Sequence, residues 1–282
     1  MSWMFGAILF WIAAWGLNVW LARSPWHGVR AVRIFVPVLF GVTILVMWEA
    51  FVRAFGVSPV ILPAPSAIAA RFAVETTTLW EDFTQTVLKG ALSGYILGCS
   101  AAFLTAVLID RSAFLTRGLL PIGNFVAALP IVGIAPILVS WFGFDWQSKA
   151  AVVVVMVFFP VLVNTVQGLQ EASAMQKDLM RTYAAGYWQT LIKLRLPAAM
   201  PFVFNGLKIA TTLALIGAIV AEYFGSPIRG MGFRISTGVG SLSIDLVWAE
   251  IAVAAVTGSA VYGVVAFLEG RVTFWHPSQR TK

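Results

Sequence analysis

Long stretches of this chain pass without a single charged side chain, and they are too long and too many for a fold that water could solvate. Six such runs cover residues 1–22, 34–48, 90–109, 118–144, 150–170 and 251–268, and a seventh, 196–221, is interrupted only by Lys208. A helix needs roughly 20 mostly apolar residues to cross the hydrocarbon core of a bilayer. Unsatisfied backbone N–H and C=O groups are too costly there for anything but helices or closed barrels. Seven spans follow, the second completed by residues from Glu49 toward Arg53, and with them an all-α, polytopic helical bundle. Charged residues make up 11% of the chain, against about 25% in a soluble domain. A soluble enzyme, a nucleic-acid-binding domain and a disordered tail are thereby excluded.

The first run is distinguished from a cleaved signal peptide by its lack of a basic leading region and by Trp3, Trp11, Trp15 and Trp20, with Arg23 on its far side. It is expected to be a retained helix with its N-terminus outside. Orientation then follows from the basic residues. With that start, the inner segments hold Arg23, Arg30, Arg33, Arg111, Arg117, Lys177, Arg181, Lys193, Arg195, Arg271, Arg280 and Lys282. The outer ones hold Arg53, Arg71, Lys149, Arg229 and Arg234, a ratio of twelve to five that places the C-terminus in the cytoplasm. The net charge of +7 is therefore an orientation signal rather than the mark of a nucleic-acid partner.

Between the spans, residues 53–83 form an outer segment in which Pro59, Pro63 and Pro65 break any early helix. Ser66 is placed there to cap a short amphipathic helix running to Ala73. Residues 167–195 are the longest inner segment and the most polar part of the chain, yet Leu179, Met180, Tyr183 and Trp188 argue against disorder. Within the bilayer, helices associate through close backbone approach. Gly90, Gly94, Gly98, Ala102 and Ala106 supply one small-residue face, and Ala255, Ser259 and Gly263 are expected to supply another. The run 118–144 carries Pro121, Pro130 and Pro136 and exceeds one straight crossing. It reads either as a helix broken beside a pathway or as a proline-kinked structural helix.

Signatures of chemistry are missing. The chain has no G-x-x-x-x-G-K-[ST] loop, no H-E-x-x-H pair and no G-x-S-x-G elbow. Its one cysteine, Cys99, and its two histidines, His27 and His276, offer no metal site. Glu49, Lys89, Lys208, Glu222 and Glu250 are the ionisable residues in or beside spans, and a charge at that depth is a functional candidate by default. Most lie near span ends, where snorkelling suffices. Lys208 lies about 16 Å along a helix from Pro197, so it is expected to face the bundle interior, water or a carboxylate. Lys208, Pro130 and Glu222 are the candidates for a translocation path.

One inner stretch is specific. Asp178-Leu179-Met180-Arg181-Thr182-Tyr183-Ala184, followed by Leu194-Arg195-Leu196-Pro197, resembles the cytoplasmic "EAA" loop of permease subunits in binding-protein-dependent ABC importers. That pattern reads E-A-A, three residues, G, nine residues, I-x-L-P. Asp178 takes the acidic place, Ala184 the glycine and Leu194 the isoleucine, while Leu196 and Pro197 match outright. Leu179 and Met180 depart from the two alanines. Ile61-Leu62-Pro63-Ala64-Pro65-Ser66, Gly206-Leu207-Lys208-Ile209-Ala210, and Glu222 with Gly230-Met231-Gly232 are similar to the nitrate, sulfonate and taurine branch of that family.

The resemblance implies a type I importer transmembrane domain over residues 34–282, with 1–33 as an additional N-terminal helix and connector and a coupling loop at about 167–197. Two short helices meeting at Ala184 and Gly186 would form a knob, with Asp178 free to pair with a basic group and Leu179, Met180 and Tyr183 offering apolar contact. Pro197 suits a helix start, so the sixth span is expected to begin there. Implied partners are two ABC ATPase subunits inside, which bind ATP and Mg, a solute-binding protein outside, and a second copy of this chain. No cofactor and no catalytic residue is expected on the chain itself. A self-contained secondary transporter or channel is the alternative; it should show inverted repeats or clustered intramembrane acids, and neither is seen.

Overall fold

Every regular element among the described residues of the computed structural model, which are 2–127, 129–226 and 228–275, is helical. His276, Arg280 and Lys282 lie outside them. The chain divides into two compact units, residues 1–76 with 237–250, and residues 77–236 with 251–282.

In the first unit, α1 (Ser2–Arg23) and α2 (Arg30–Phe55) pack on each other across a tight turn at Pro25–Gly28. Ser24 closes that turn, its hydroxyl oxygen accepting from Trp26 N–H at 3.3 Å. The buried positions of α1 include the small residues Ala7 and Ala14, whereas Trp11, Trp15 and Trp20 are exposed, as a lipid-facing helix requires. Gly56 ends α2 at φ +61, and α3 (Pro65–Val74) follows. Ser66 does not cap α3. The N-cap is Ala64, with Pro65 in the first turn, and the carboxylate of Glu49 takes the orphan Ser66 N–H at 2.9 Å and the Ser66 hydroxyl at 2.7 Å. A full negative charge at a helix N-terminus is better placed than a hydroxyl. Arg53 holds the same carboxylate at 2.5 Å.

The second unit is built around α8 (Trp146–Gln170), which lies between α5 (Leu92–Ile109) and α11 (Leu196–Phe224). Ahead of α5, α4 (Thr76–Phe83) runs into a π-helical stretch, Thr84–Ala91. The glycine stripe explains how closely α5 approaches α8: a Cβ added at Gly94 would lie 2.5 Å from Val153 Cβ, and one at Gly98 would collide with Val157. On the opposite side, Gly206 and Gly217 of α11 admit Asn164 and Met156. Val152, Val153, Val157 and Val161 are consequently buried. In α13 (Ile244–Val272) the expected small-residue face is not the one that packs within the chain. Ala254 is buried and Gly258 meets Leu215, while Ala255, Ser259 and Gly263 are exposed. Helical periodicity defines a stripe but does not say which neighbour it meets.

Among the described residues, six helices are long and apolar enough to cross a bilayer. The run 118–144 is instead two helices, α6 (Ala113–Ala127) and α7 (Ile131–Phe142), with Pro130 as the N-cap of α7. At 1.5 Å per residue they are about 22 and 18 Å long, each alone short of a hydrocarbon core of roughly 30 Å. In series they carry the chain from Asp110, beside Arg195 at one end of α11, to Lys149, beside Gly225 at the other, so the expected crossing is shared between two short helices. Lys149 is buried rather than part of a wet loop. Its ammonium donates to the carbonyls of Phe144 at 2.6 Å, in the turn between α7 and α8, and of Gly225 at 2.5 Å, the C-cap of α11.

Candidate functional site

The segment after α8 folds into two short helices, α9 (Ala174–Thr182) and α10 (Tyr187–Thr190). Ser173 and Gln176 start α9 as a reciprocal capping box, a signal present in the sequence as S-x-x-Q. Its C-terminus closes with Ala185 N–H donating to Met180 C=O at 3.0 Å and Ala184 N–H to Arg181 C=O at 2.8 Å. That is the 6→1 and 5→2 pairing of a Schellman motif, whose pivot residue sits in the left-handed region. The pivot is Ala184, at φ +51. The position that takes glycine in the "EAA" pattern is thus one where the backbone itself favours glycine.

No residue of α9 is buried. Met175, Leu179 and Tyr183, spaced by four, are 82, 56 and 77% exposed, an apolar stripe without a partner among the described residues. Asp178 pairs with Arg181 at 3.1 Å beside it, leaving carboxylate and guanidinium solvated. Met180 is half-buried, Thr182 and Gly186 are exposed, and Leu194, Leu196 and Pro197 are half-buried beneath the knob.

Helical structure runs without a break from Tyr187 into α11, through a π-helical turn at Leu191–Arg195. Pro197 therefore lies just inside the α-helical part rather than at the first helical residue. The wider turn ahead of it accommodates a residue that cannot donate a backbone hydrogen bond. Leu191 is buried among Leu169, Ala199 and Val203. Beside this seat, Asp110, the C-cap of α5, accepts from Arg195 Nη1 and Nη2 at 2.7 and 2.6 Å and from the Tyr187 hydroxyl at 2.8 Å. Arg195 Nε donates to Leu169 C=O at 2.9 Å. Arg111 lies over the rings of Tyr187 and Trp188. Asp110 is absent from the sequence-based candidates, although a carboxylate at a helix C-terminus is the wrong charge for the macrodipole and so signals a cationic partner.

Two further polar contacts hold α11 along its length. Lys208 Nζ meets Glu269 Oε2 at 2.8 Å, both side chains largely buried, so the expected carboxylate partner is present. Lys208 also lines a cavity of about 380 Å³ with Asn205, Thr212, Leu213 and Tyr262. A second cavity, about 170 Å³, lies at the α6–α7 break and includes Leu129, Ile131, Pro160 and the same Leu213. Lys208 and the Pro130 break thus flank adjacent cavities. Glu222 is elsewhere, fully buried at the far end of α11. There it helps to cap α12 (Met231–Gly240). Gly230 N–H donates to Asp82 at 2.6 Å, Met231 N–H to the Thr86 hydroxyl at 2.8 Å and Gly232 N–H to Glu222 at 3.0 Å. Thr86 in turn donates to Glu222 at 2.7 Å, and Arg234 holds Asp82 at 2.7 Å. The pairing of Glu222 with Gly230-Met231-Gly232 in the sequence is the trace of this cap.

Residues 94–274 match the family described as "Binding-protein-dependent transport system inner membrane component". A probable ABC transporter permease of Haemophilus influenzae is 32% identical over 78% of this chain and 89% of its own length. A formylaminopyrimidine transport permease of Halalkalibacterium halodurans is 30% identical over 89% of this chain and 99% of its own. A putative aliphatic sulfonates permease of Bacillus subtilis is 28% identical over 85% of this chain and 87% of its own, and taurine and nitrate permeases also match. These likenesses favour an importer subunit over a self-contained transporter or channel. With six apolar helices of membrane-crossing length among the described residues and a family match across both cavities and the knob, the chain belongs to the inner-membrane permease components of binding-protein-dependent transport systems.

Proposed function

We propose that this chain is the permease of an ATP-driven importer whose energy comes from a separate ATPase subunit docked on residues 174–190. The observation that carries the reading is the exposed Met175–Leu179–Tyr183 stripe on a small-residue knob, joined by continuous helix to α11. A partner groove covering the stripe would bury apolar surface that the chain leaves in water. The coupling residues are Asp178, Leu179, Met180, Arg181, Thr182, Tyr183, Ala184 and Gly186, with Leu194, Leu196 and Pro197 carrying the motion into the span. The ATPase binds ATP and Mg; this chain contributes no catalytic group and no cofactor site.

The working assembly is a homodimer of this chain in the inner membrane, two ATPases on the cytoplasmic side and a solute-binding protein outside, with the N-terminus outside and the C-terminus inside. Residues 34–282 form the permease domain, and 1–33 are an added helix and connector, with Trp11 and Trp15 facing lipid. ATP shifts the permease between two access states only through its different affinity for them. Lys208 and the Pro130 break flank the path, and Glu222 at the outer end of α11 holds the segment that closes it. The cargo is a small solute of the kind for which the relatives are named, a sulfonate, taurine, nitrate or a pyrimidine precursor, selected mainly by the binding protein. The Lys208–Glu269 pair is neutral as a unit, so its cavity offers hydrogen bonds rather than a bare cation.

The test is association with the cognate ATPase. Tyr183→Glu should weaken binding about 30-fold, as loss of an aromatic anchor worth about 2 kcal/mol does, without altering helical content. Undiminished binding would remove the docking assignment.

A further inference from the structure

We infer that Asp110, Arg195 and Tyr187 form a rigid joint that makes the docking knob move as one body with the loop-side ends of α5 and α8. The inference rests on the docking reading of residues 174–190 and adds what the knob is fastened to.

Helical continuity alone connects the knob to α11. α8 leads into the knob through only three residues, 171–173, and packs along α11, while α5 belongs to an earlier part of the chain. But a short link and mid-span contacts such as Asn205–Asn164 and Tyr95–Leu207 do not fix the angle at which the knob is held. The polar contacts at the knob's base supply the missing constraint. Arg195 presents a planar fork with fixed donor directions. Two of its nitrogens hold Asp110 at the end of α5, and the third donates to Leu169 C=O in the last turn of α8. Tyr187, the first residue of α10, fixes the same carboxylate from the knob side. Asp110 is 7% exposed and Arg195 16%, so water does not compete effectively for either.

A doubly hydrogen-bonded, largely buried pair has a narrow range of acceptable geometry, and it resists shear that greasy contacts between small residues would permit. Loss of either partner strands a charge. The joint should therefore hold while the ATPase moves and slip when one member is neutralised. Asp110, Arg195 and Tyr187 are positioning residues in this account, since none of them faces the exposed stripe that receives the partner.

The experiment places spin labels at Ala174, on α9 away from the stripe, and at Leu108, exposed on α5, in a Cys99→Ser background. The shorter, within-chain distance is measured in the complex with the ATPase, with and without ATP, Mg and vanadate. With the joint intact, that distance should be the same in both states. Asp110→Asn and Arg195→Gln should leave it unchanged without nucleotide but shift it when ATP is added, at unchanged affinity for the ATPase. The double variant should shift it no further than either single one, because all three break one joint.

A nucleotide-dependent shift with the joint intact would overturn the inference, as would the absence of a shift in both variants. Loss of ATPase affinity in Asp110→Asn would also overturn it by assigning the cluster to docking. Should the charge variants fail to assemble, Tyr187→Phe decides, since it deletes one hydroxyl; it too must shift the distance with ATP or the inference fails. Failure of Tyr183→Glu to weaken ATPase binding would instead sink the docking reading itself.

Discussion

At Ala184 the backbone and the side chain are in conflict. Its φ of +51 is a conformation that costs a residue bearing a Cβ about 1 kcal/mol or more relative to glycine, while the Schellman pairing around it leaves no alternative path for the chain. Ala184→Gly should stabilise the knob by about 0.5–1 kcal/mol after its greater unfolded-chain entropy is counted. The gain should appear as slower proteolysis between Arg181 and Tyr187. A β-branched residue there should act oppositely. Lys208 poses a second residue-scale question, because its partner is as buried as it is. Lys208→Met alone leaves Glu269 uncompensated, at a cost of about 3–5 kcal/mol. Lys208→Met with Glu269→Leu should recover most of that stability. Thermal unfolding in detergent checks both, and equal losses in the single and double variants would mean that the pair is not a unit.

At the scale of elements, the cap on α12 shows why motifs without obvious chemistry persist in a sequence. Three consecutive amides at a helix start have no intrahelical acceptors, and here Asp82, Thr86 and Glu222 supply them from other elements. Thr86→Val preserves shape while removing both the acceptor for Met231 N–H and the donor to Glu222. It should cost about 1–3 kcal/mol, the penalty of a buried group left unpaired. Gly232→Ala should cost a similar amount by overpacking, since its Cβ would run into the Ile219 carbonyl and Glu222. A neutral outcome in calorimetry for both would mean that this end of α12 is not held by the cap. Such partners were not legible beforehand: Asp82 and Gly230 are 148 residues apart, and no local pattern couples them. The same holds for Asp110 with Arg195, and for Glu49, which takes over the capping role that local spacing assigned to Ser66. What local rules did convey was the set of apolar runs, the glycine stripe of α5 and the small pivot of the knob. These are properties a single helix or turn imposes on its own residues. The break at Pro130 stood between the two, since prolines announce a disturbed helix without saying whether it bends or stops.

At the scale of the whole molecule, α1 and the permease domain proposed for residues 34–282 make different demands. α1 packs on α2 with Trp11, Trp15 and Trp20 outward, and the residues that line the two cavities beside Leu213 include none of its own. Deleting residues 2–23 should leave ATPase affinity and nucleotide-dependent motion of the knob unchanged in correctly inserted protein. The proposed direction of the remaining helices is tested at α11. Its 29 residues extend about 43 Å, well beyond a hydrocarbon core of roughly 30 Å, so its two ends must emerge on opposite faces of the membrane. The knob end carries Lys177, Arg181, Lys193 and Arg195 within a short stretch, the charge bias of a cytoplasmic segment. The other end carries Glu222, buried in a cap, and a short connection to α12. Reporter fusions at Ser173, which starts α9, and at Ser226, which follows α11, should therefore read opposite compartments, with Ser173 in the cytoplasm. The same side for both would mean that α11 does not cross. Opposite sides with Ser226 inside would put the knob out of reach of ATP, and the docking assignment would fall with the orientation.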